Sequence, residues 1–112
     1  MEKAELASAI ASFTRALECT RDQAEVNANL YFYRANVFFC QGSWVEAGED
    51  ARRGLALCDD SLEPASKTVL SLKPQLTDIA RNSKVYEALE QAGKASVAPS
   101  IIDVDSPLGI AR

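Results

Sequence analysis

The 112-residue chain contains no histidine, which removes the commonest general base and the commonest metal ligand. Glycine (5) and proline (4) are scarce, too few for a turn-rich β-sandwich. Its three cysteines, Cys19, Cys40 and Cys58, are far apart and odd in number, and no Cys-x-x-Cys pair exists. That pattern predicts free thiols in a reducing compartment rather than a zinc or dithiol site. No run of about 18 apolar residues is present to span a bilayer, so membrane insertion is not expected. Met1-Glu2-Lys3-Ala4-Glu5 lacks the basic start and apolar core of a secretory signal. Lys and Arg form no long cluster, and the net charge is −4. A nucleic-acid partner needs a basic face, so none is expected. The sequence therefore predicts a soluble cytoplasmic protein.

What is present is helical periodicity. Hydrophobic residues make up 47% and charged residues 25%, an ordinary globular balance with room for one modest core. Leu6, Ala9, Ile10, Phe13, Ala16 and Leu17 recur at steps of three and four and predict an amphipathic helix over 3–19. Thr20 with Gln23, and Asp22 with Glu25, have capping-box spacing ahead of a second helix over 24–41. Gly42 can end that helix in the left-handed conformation. Ser43 with Glu46 is another capping box and opens a third helix over 44–58, whose stripe is Trp44, Ala47, Gly48, Ala51, Leu55 and Cys58. So short a connection makes these two helices antiparallel, and Ala35, Ala47, Gly48 and Ala51 would let them approach closely.

A further stripe follows Asp59-Asp60-Ser61, with Pro64 placed in a first turn: Leu62, Ala65, Val69, Leu72, Leu76, Ile79 and Tyr86. Only Ser83 interrupts it. Pro74 lies inside, where it removes a donor and disfavours helix at Lys73, so two outcomes are open, one long kinked helix or two helices broken near Lys73-Pro74, and the break is favoured. Helix is expected to reach Ala92 and stop at Gly93. Residues 94–112 carry Pro99, Pro107 and the apolar group Ile101-Ile102-Asp103-Val104 without a helical period. They are expected to form a flexible tail after a 1–93 helical domain.

The run from Asn29 to Leu57, NLYFYRANVFFCQGSWVEAGEDARRGLAL, resembles a tetratricopeptide repeat. Tyr31 takes the early aromatic place, Ala35 the small crossing residue, Phe38 the bulky residue one turn on, and Gly42 the turn glycine. Trp44, Ala47, Ala51 and Gly54-Leu55 match the second helix. Ala9, Ile10, Phe13, Ala16 and Leu17 resemble the second helix of a preceding repeat. The resemblance implies an all-α fold of antiparallel hairpins, a right-handed α-solenoid fragment with C-terminal capping helices. It departs from the family in having no first helix for the first repeat and in carrying Pro74.

The resemblance also implies a function: a protein-interaction scaffold, without enzymatic activity or cofactor, taking a protein or peptide in a groove. The matching groove positions are Asn29, Phe32, Tyr33, Asn36, Phe39 and Cys40. Two roles are open to these rings, partner contact or core beneath the helices after Leu62. The asparagine that clamps chaperone carboxylates in this family is Tyr33 here, so that ligand class is not expected. Leu6, Ile10 and Phe13 form a second candidate contact face, for a partner helix or for self-association. A structural or regulatory subunit of a larger assembly is the alternative reading. Arg34 is expected to be structural, reaching Glu46 or Asp50. The carboxylates Glu46, Glu49, Asp50, Asp59 and Asp60 read as ordinary helix-end and surface charge.

Overall fold

A computed structural model describes residues 3–95, and they are arranged as four α-helices with no strand among them. These are α1 (Lys3–Cys19), α2 (Ala24–Gln41), α3 (Trp44–Asp60) and α4 (Lys67–Ala95). Each helix packs antiparallel on the next. Thr14 meets Arg34 across α1 and α2, Arg34 meets Asp50 across α2 and α3, and Asp59 meets Lys73 across α3 and α4. Helix α2 also touches α4, and this pair is parallel. Glu25 near the start of α2 accepts a hydrogen bond from Thr68 near the start of α4. Phe39 near the end of α2 meets Tyr86 far along α4. The molecule is 22 Å through its thinnest axis, the depth of two helix layers. Helix α3 packs on both α2 and α4, and α1 packs on α2. Of the expected tail, residues 94–112, Lys94 and Ala95 belong to α4, and residues 96–112 lie outside the described residues.

The α2–α3 turn forms as its sequence predicts. Gly42 sits at φ 82°, its N–H donating to the Phe39 carbonyl (3.1 Å), while Ser43 N–H donates to the Phe38 carbonyl (2.9 Å). This paired closure satisfies the last carbonyls of α2. The expected capping boxes do not form. Gln23, not Thr20 or Asp22, precedes α2, and neither Gln23 nor Ser43 makes a side-chain cap. Instead Thr20 donates to Asn27 Oδ1 (2.5 Å), tying the α1–α2 connection to a buried amide.

Two further expectations are corrected along α4. Residues 61–66 form turns, so Pro64 lies in the connection, and the helix begins at Lys67 with Ser66 Oγ accepting from Val69 N–H (3.1 Å). The helix then runs unbroken through Pro74 and past Gly93 to Ala95. Proline costs a helix most where the freed carbonyl is buried. Pro74 is exposed, and Leu70, whose carbonyl loses its donor, is also exposed, so water can take the lost partner's place.

The core runs between α2, α3 and α4: Ala28, Ala35, Ala51, Cys58, Val69, Leu72 and Leu76 are buried. Ala35 and Ala47 are both wholly covered, consistent with a close α2–α3 approach. On α4, Ser83 replaces the apolar residue its stripe calls for because α3 comes too near. A Cβ added at Gly48 would lie 3.4 Å from Ser83 Cβ. Its hydroxyl is buried and makes no hydrogen bond, so the position selects for size and not polarity.

Arg34 joins three helices. Its Nε and Nη2 donate to the two carboxylate oxygens of Asp50 (2.6 and 2.8 Å), and its Nη1 donates to Thr14 Oγ1 (2.9 Å). Asp50 is completely buried and also accepts from Arg53 (2.8 Å). The guanidinium lies 5.7 Å from the Tyr31 ring centre and 5.8 Å from that of Phe38. The hydrogen bonds that Arg34 donates to Asp50 hold its charge still more firmly, raising its pKa above the usual arginine value.

Two outcomes follow. Arg34→Met should lower unfolding stability by about 3–5 kcal/mol, because it strands the buried Asp50 carboxylate, and adding Asp50→Leu should restore part of the loss. Urea titration of the single and double variants measures both. At the α3–α4 contact, Ser83→Ala should be neutral or stabilising, whereas Ser83→Leu should cost about 1–3 kcal/mol through overpacking. Thermal melts of the pair separate size from polarity.

Candidate functional site

The candidate groove runs along the α2–α4 contact. Residues 25, 32 and 39, each seven apart, form the row of α2 that faces α4. Glu25 bonds Thr68, Phe32 packs on the buried core, and Phe39 meets Tyr86. The neighbouring row of α2 on the open side holds Asn29, Tyr33, Asn36 and Cys40. On α4 the row between Thr68 and Tyr86 contains Gln75 and Asn82. Asn36, Cys40, Gln75 and Asn82 are exposed and Asn29 is half-buried.

The expected groove residues therefore divide. Phe32 and Phe39 are partly covered by α4 and belong to the packing between the two helices. Tyr33 is 47% exposed and lies against Phe13 of α1 with ring centres 6.0 Å apart, tilted onto Phe32 at 5.5 Å. Asn29 and Asn36 each donate one amide N–H to the carbonyl four residues back, Glu25 (3.0 Å) and Phe32 (3.2 Å).

At one end the groove meets an aromatic cluster. Phe39, Trp44 and Tyr86 come from three helices, with ring centres 5.1 Å (Phe39–Trp44), 5.6 Å (Phe39–Tyr86) and 4.9 Å (Trp44–Tyr86) apart. The first two contacts are edge-on and the third is stacked, the favoured aromatic geometries. Tyr86 remains 44% exposed and Leu89, one turn further, is 52% exposed. Because Tyr86 already lies opposite the start of α3, the turns of α4 beyond it extend past the α2–α3 hairpin. The sequence could not show this patch, since nothing local says where α3 stops covering α4.

The second candidate face behaves differently. Leu6, expected to be on an exposed flank, is only 6% exposed. Ile10 and Phe13 are half-buried, and α1 packs mainly on α2. Among the carboxylates, Asp50 is held by Arg34 and Arg53, and Asp59 by Lys73 at 2.8 Å. Glu49 lies 4.0 Å from Arg53. No three carboxylate or thiol groups converge among the described residues.

A second hollow of about 580 Å³ lies outside the groove, between the end of α3 and the first half of α4. Pro64, Val69, Leu70 and Pro74 give it an apolar lining, and Cys58 is at its buried edge. Burial pushes the Cys58 thiol pKa up, with Asp59 adding to the shift and Lys73 opposing it. Raised in this way, the thiol favours its neutral form in the folded state. Its contribution to stability is present below the unfolded-state pKa and is lost as the pH rises through that value and above.

Labelling with a maleimide at neutral pH should modify Cys19 and Cys40 rapidly, both being exposed, and Cys58 only at the rate of unfolding. Intact mass against time should show two fast additions and one slow one. Three equal rates would contradict the burial of Cys58.

No helix among the described residues is long and apolar enough to cross a membrane. No family model matches the sequence, no curated protein matches it, and no solved structure matches the fold.

Proposed function

We propose that this chain is a protein-interaction module of tetratricopeptide type, without catalytic activity, that receives its partner along the open side of the α2–α4 groove. The observation that carries this is the exposed strip of Tyr33, Asn36, Cys40, Tyr86 and Leu89 on helices that are otherwise packed together. Exposed aromatic and apolar side chains grouped on one face mark contact surfaces more often than scattered ones do. The helix order adds support. Successive antiparallel packing, with α2 and α4 parallel, is the arrangement that stacked helical hairpins produce.

Groups suited to chemistry are engaged structurally. Asp50 and Arg34 hold helices together, and Cys58 is kept neutral by burial. A cytoplasmic location belongs to the same reading and rests on the free thiols. The edge of α1 that borders α2, where Ile10 and Phe13 are half-covered, is a second surface for a partner helix or another copy.

The two exposed cysteines make the test direct. A benzophenone attached at Cys40 in a Cys19→Ser chain reports on the groove, and one at Cys19 in a Cys40→Ser chain reports on the far end of α1. On irradiation in extract of the source cells, the Cys40 probe should give a discrete cross-linked protein that the Cys19 probe does not. Identical adducts from both, or none from either, would remove the groove reading.

A further inference from the structure

A hollow of about 400 Å³ opens beside the Arg34–Asp50 joint and shares no residue with the groove. Arg21 of the α1–α2 connection, Tyr31 of α2, Arg53 and Leu57 of α3, and Asp60 and Ser61 at the end of α3 line it. Its lining thus holds two guanidiniums and one carboxylate, in a chain whose net charge is −4.

The two arginines are not neutralised where they stand. Arg53 gives one N–H to Asp50 (2.8 Å), but both oxygens of that carboxylate are already met by Arg34. One negative charge shared by two arginines leaves the joint with a surplus positive charge. Glu49 stands 4.0 Å from Arg53, with both side chains about half-exposed, where an ion pair contributes little. The Arg21 side chain makes no hydrogen bond or ion pair with any described residue. Its backbone is nonetheless held: the buried Asn27 amide donates to the Arg21 carbonyl (3.4 Å) and accepts from Thr20 (2.5 Å). Asp60 offsets one of the two surplus charges and leaves the other.

The Tyr31 and Ser61 hydroxyls also have no hydrogen-bond partner among the described residues. Guanidinium forks each meet two oxygens at once. A carboxylate has only two oxygens and satisfies a single fork. A phosphate monoester has three strong acceptor oxygens and a charge of about −1.5 to −2, enough for two forks and a hydroxyl. The volume lies in the range of small-molecule sites and exceeds a bare phosphate. Leu57 and the Tyr31 ring supply an apolar wall for an attached organic group.

We propose that this hollow binds a phosphate monoester that carries a compact apolar group. Arg21 and Arg53 hold the phosphate oxygens, the Tyr31 and Ser61 hydroxyls add donors, and Leu57 with the Tyr31 ring covers the organic part. The ligand ties the α1–α2 connection to the end of α3.

The test follows amide chemical shifts of the isotope-labelled full chain at about 0.15 M ionic strength. The probes are phenyl phosphate, for a free monoester, and a capped phosphotyrosine tripeptide, for a phosphorylated partner chain, with phenol and sodium chloride as blanks. At least one probe should shift the amides of Arg21, Arg53 and Ser61 saturably, with a Kd of about 1 mM or lower, and neither blank should. Saturation by the tripeptide identifies a phosphorylated side chain as the source, and saturation by phenyl phosphate alone identifies a free small molecule. Arg21→Gln should weaken binding by about tenfold or more through lost charge-assisted bonds, without changing the melting temperature. Arg52→Gln removes the same charge from α3 outside the hollow and should weaken binding by less than about twofold. Absence of saturation by both probes, equal effects of the two substitutions, or shifts centred on the groove would overturn the proposal.

Discussion

Asp50 carries a full charge where solvent has no access, and a buried carboxylate without partners would cost several kcal/mol. Arg34 meets both of its oxygens with parallel N–H donors, a geometry a lysine could not supply. Arg53 adds a third donor from the next turn of α3. Because Arg34 also reaches Thr14, the pair fixes the register of α1 on α2 and of α2 on α3 together. Sliding any one helix by a residue would leave a buried ion or its partner unmatched. An apolar contact tolerates such a shift far better, since burial is non-directional. The aromatic rings of Tyr31 and Phe38 lie within 6 Å of the guanidinium, where a cation is attracted to the ring face.

Given that register, the rest of the core is settled by size. Ala28, Ala35, Ala47 and Ala51 bring the helices together, and Leu76 fills the space over Gly54, where an added Cβ would come within 2.9 Å of its methyl group. Ser83 opposite Gly48 extends the same close approach along α4. Such packing leaves little room for side chains between α3 and α4, so the larger aromatics gather at the hairpin end, where Phe39, Trp44 and Tyr86 meet. The contact that closes the core thus also leaves one face of Tyr86 at the groove. Stability and candidate function share a residue there.

The groove differs in chemistry from the surfaces around it. Helix α3 carries Glu46, Glu49, Arg52, Arg53, Asp59 and Asp60, most of them exposed, as a solvated helix does. The open side of α2 shows amides and a tyrosine instead. Amides are poorer than charged side chains at keeping a face hydrated and better at matching main-chain groups.

The sequence by itself determined the helices, their order and most of their ends. Period, Gly42 and the short α2–α3 turn are local signals, and each acts through a few neighbouring residues. It also named Asp50 as a possible partner for Arg34 and listed the groove residues of α2. Tertiary structure alone decided where α4 begins and that it passes through Pro74, because the cost of a lost hydrogen bond depends on whether water can replace it. Nor could periodicity tell that Leu6 is covered while Tyr86 and Leu89 are half-open, since an apolar stripe does not record which part of it meets another helix. Thr14, which lies outside the apolar stripe of α1, became a partner of Arg34, and Ser83, read as a flaw in a stripe, became the residue that fits. Both outcomes depend on distances between helices, which no single helix encodes.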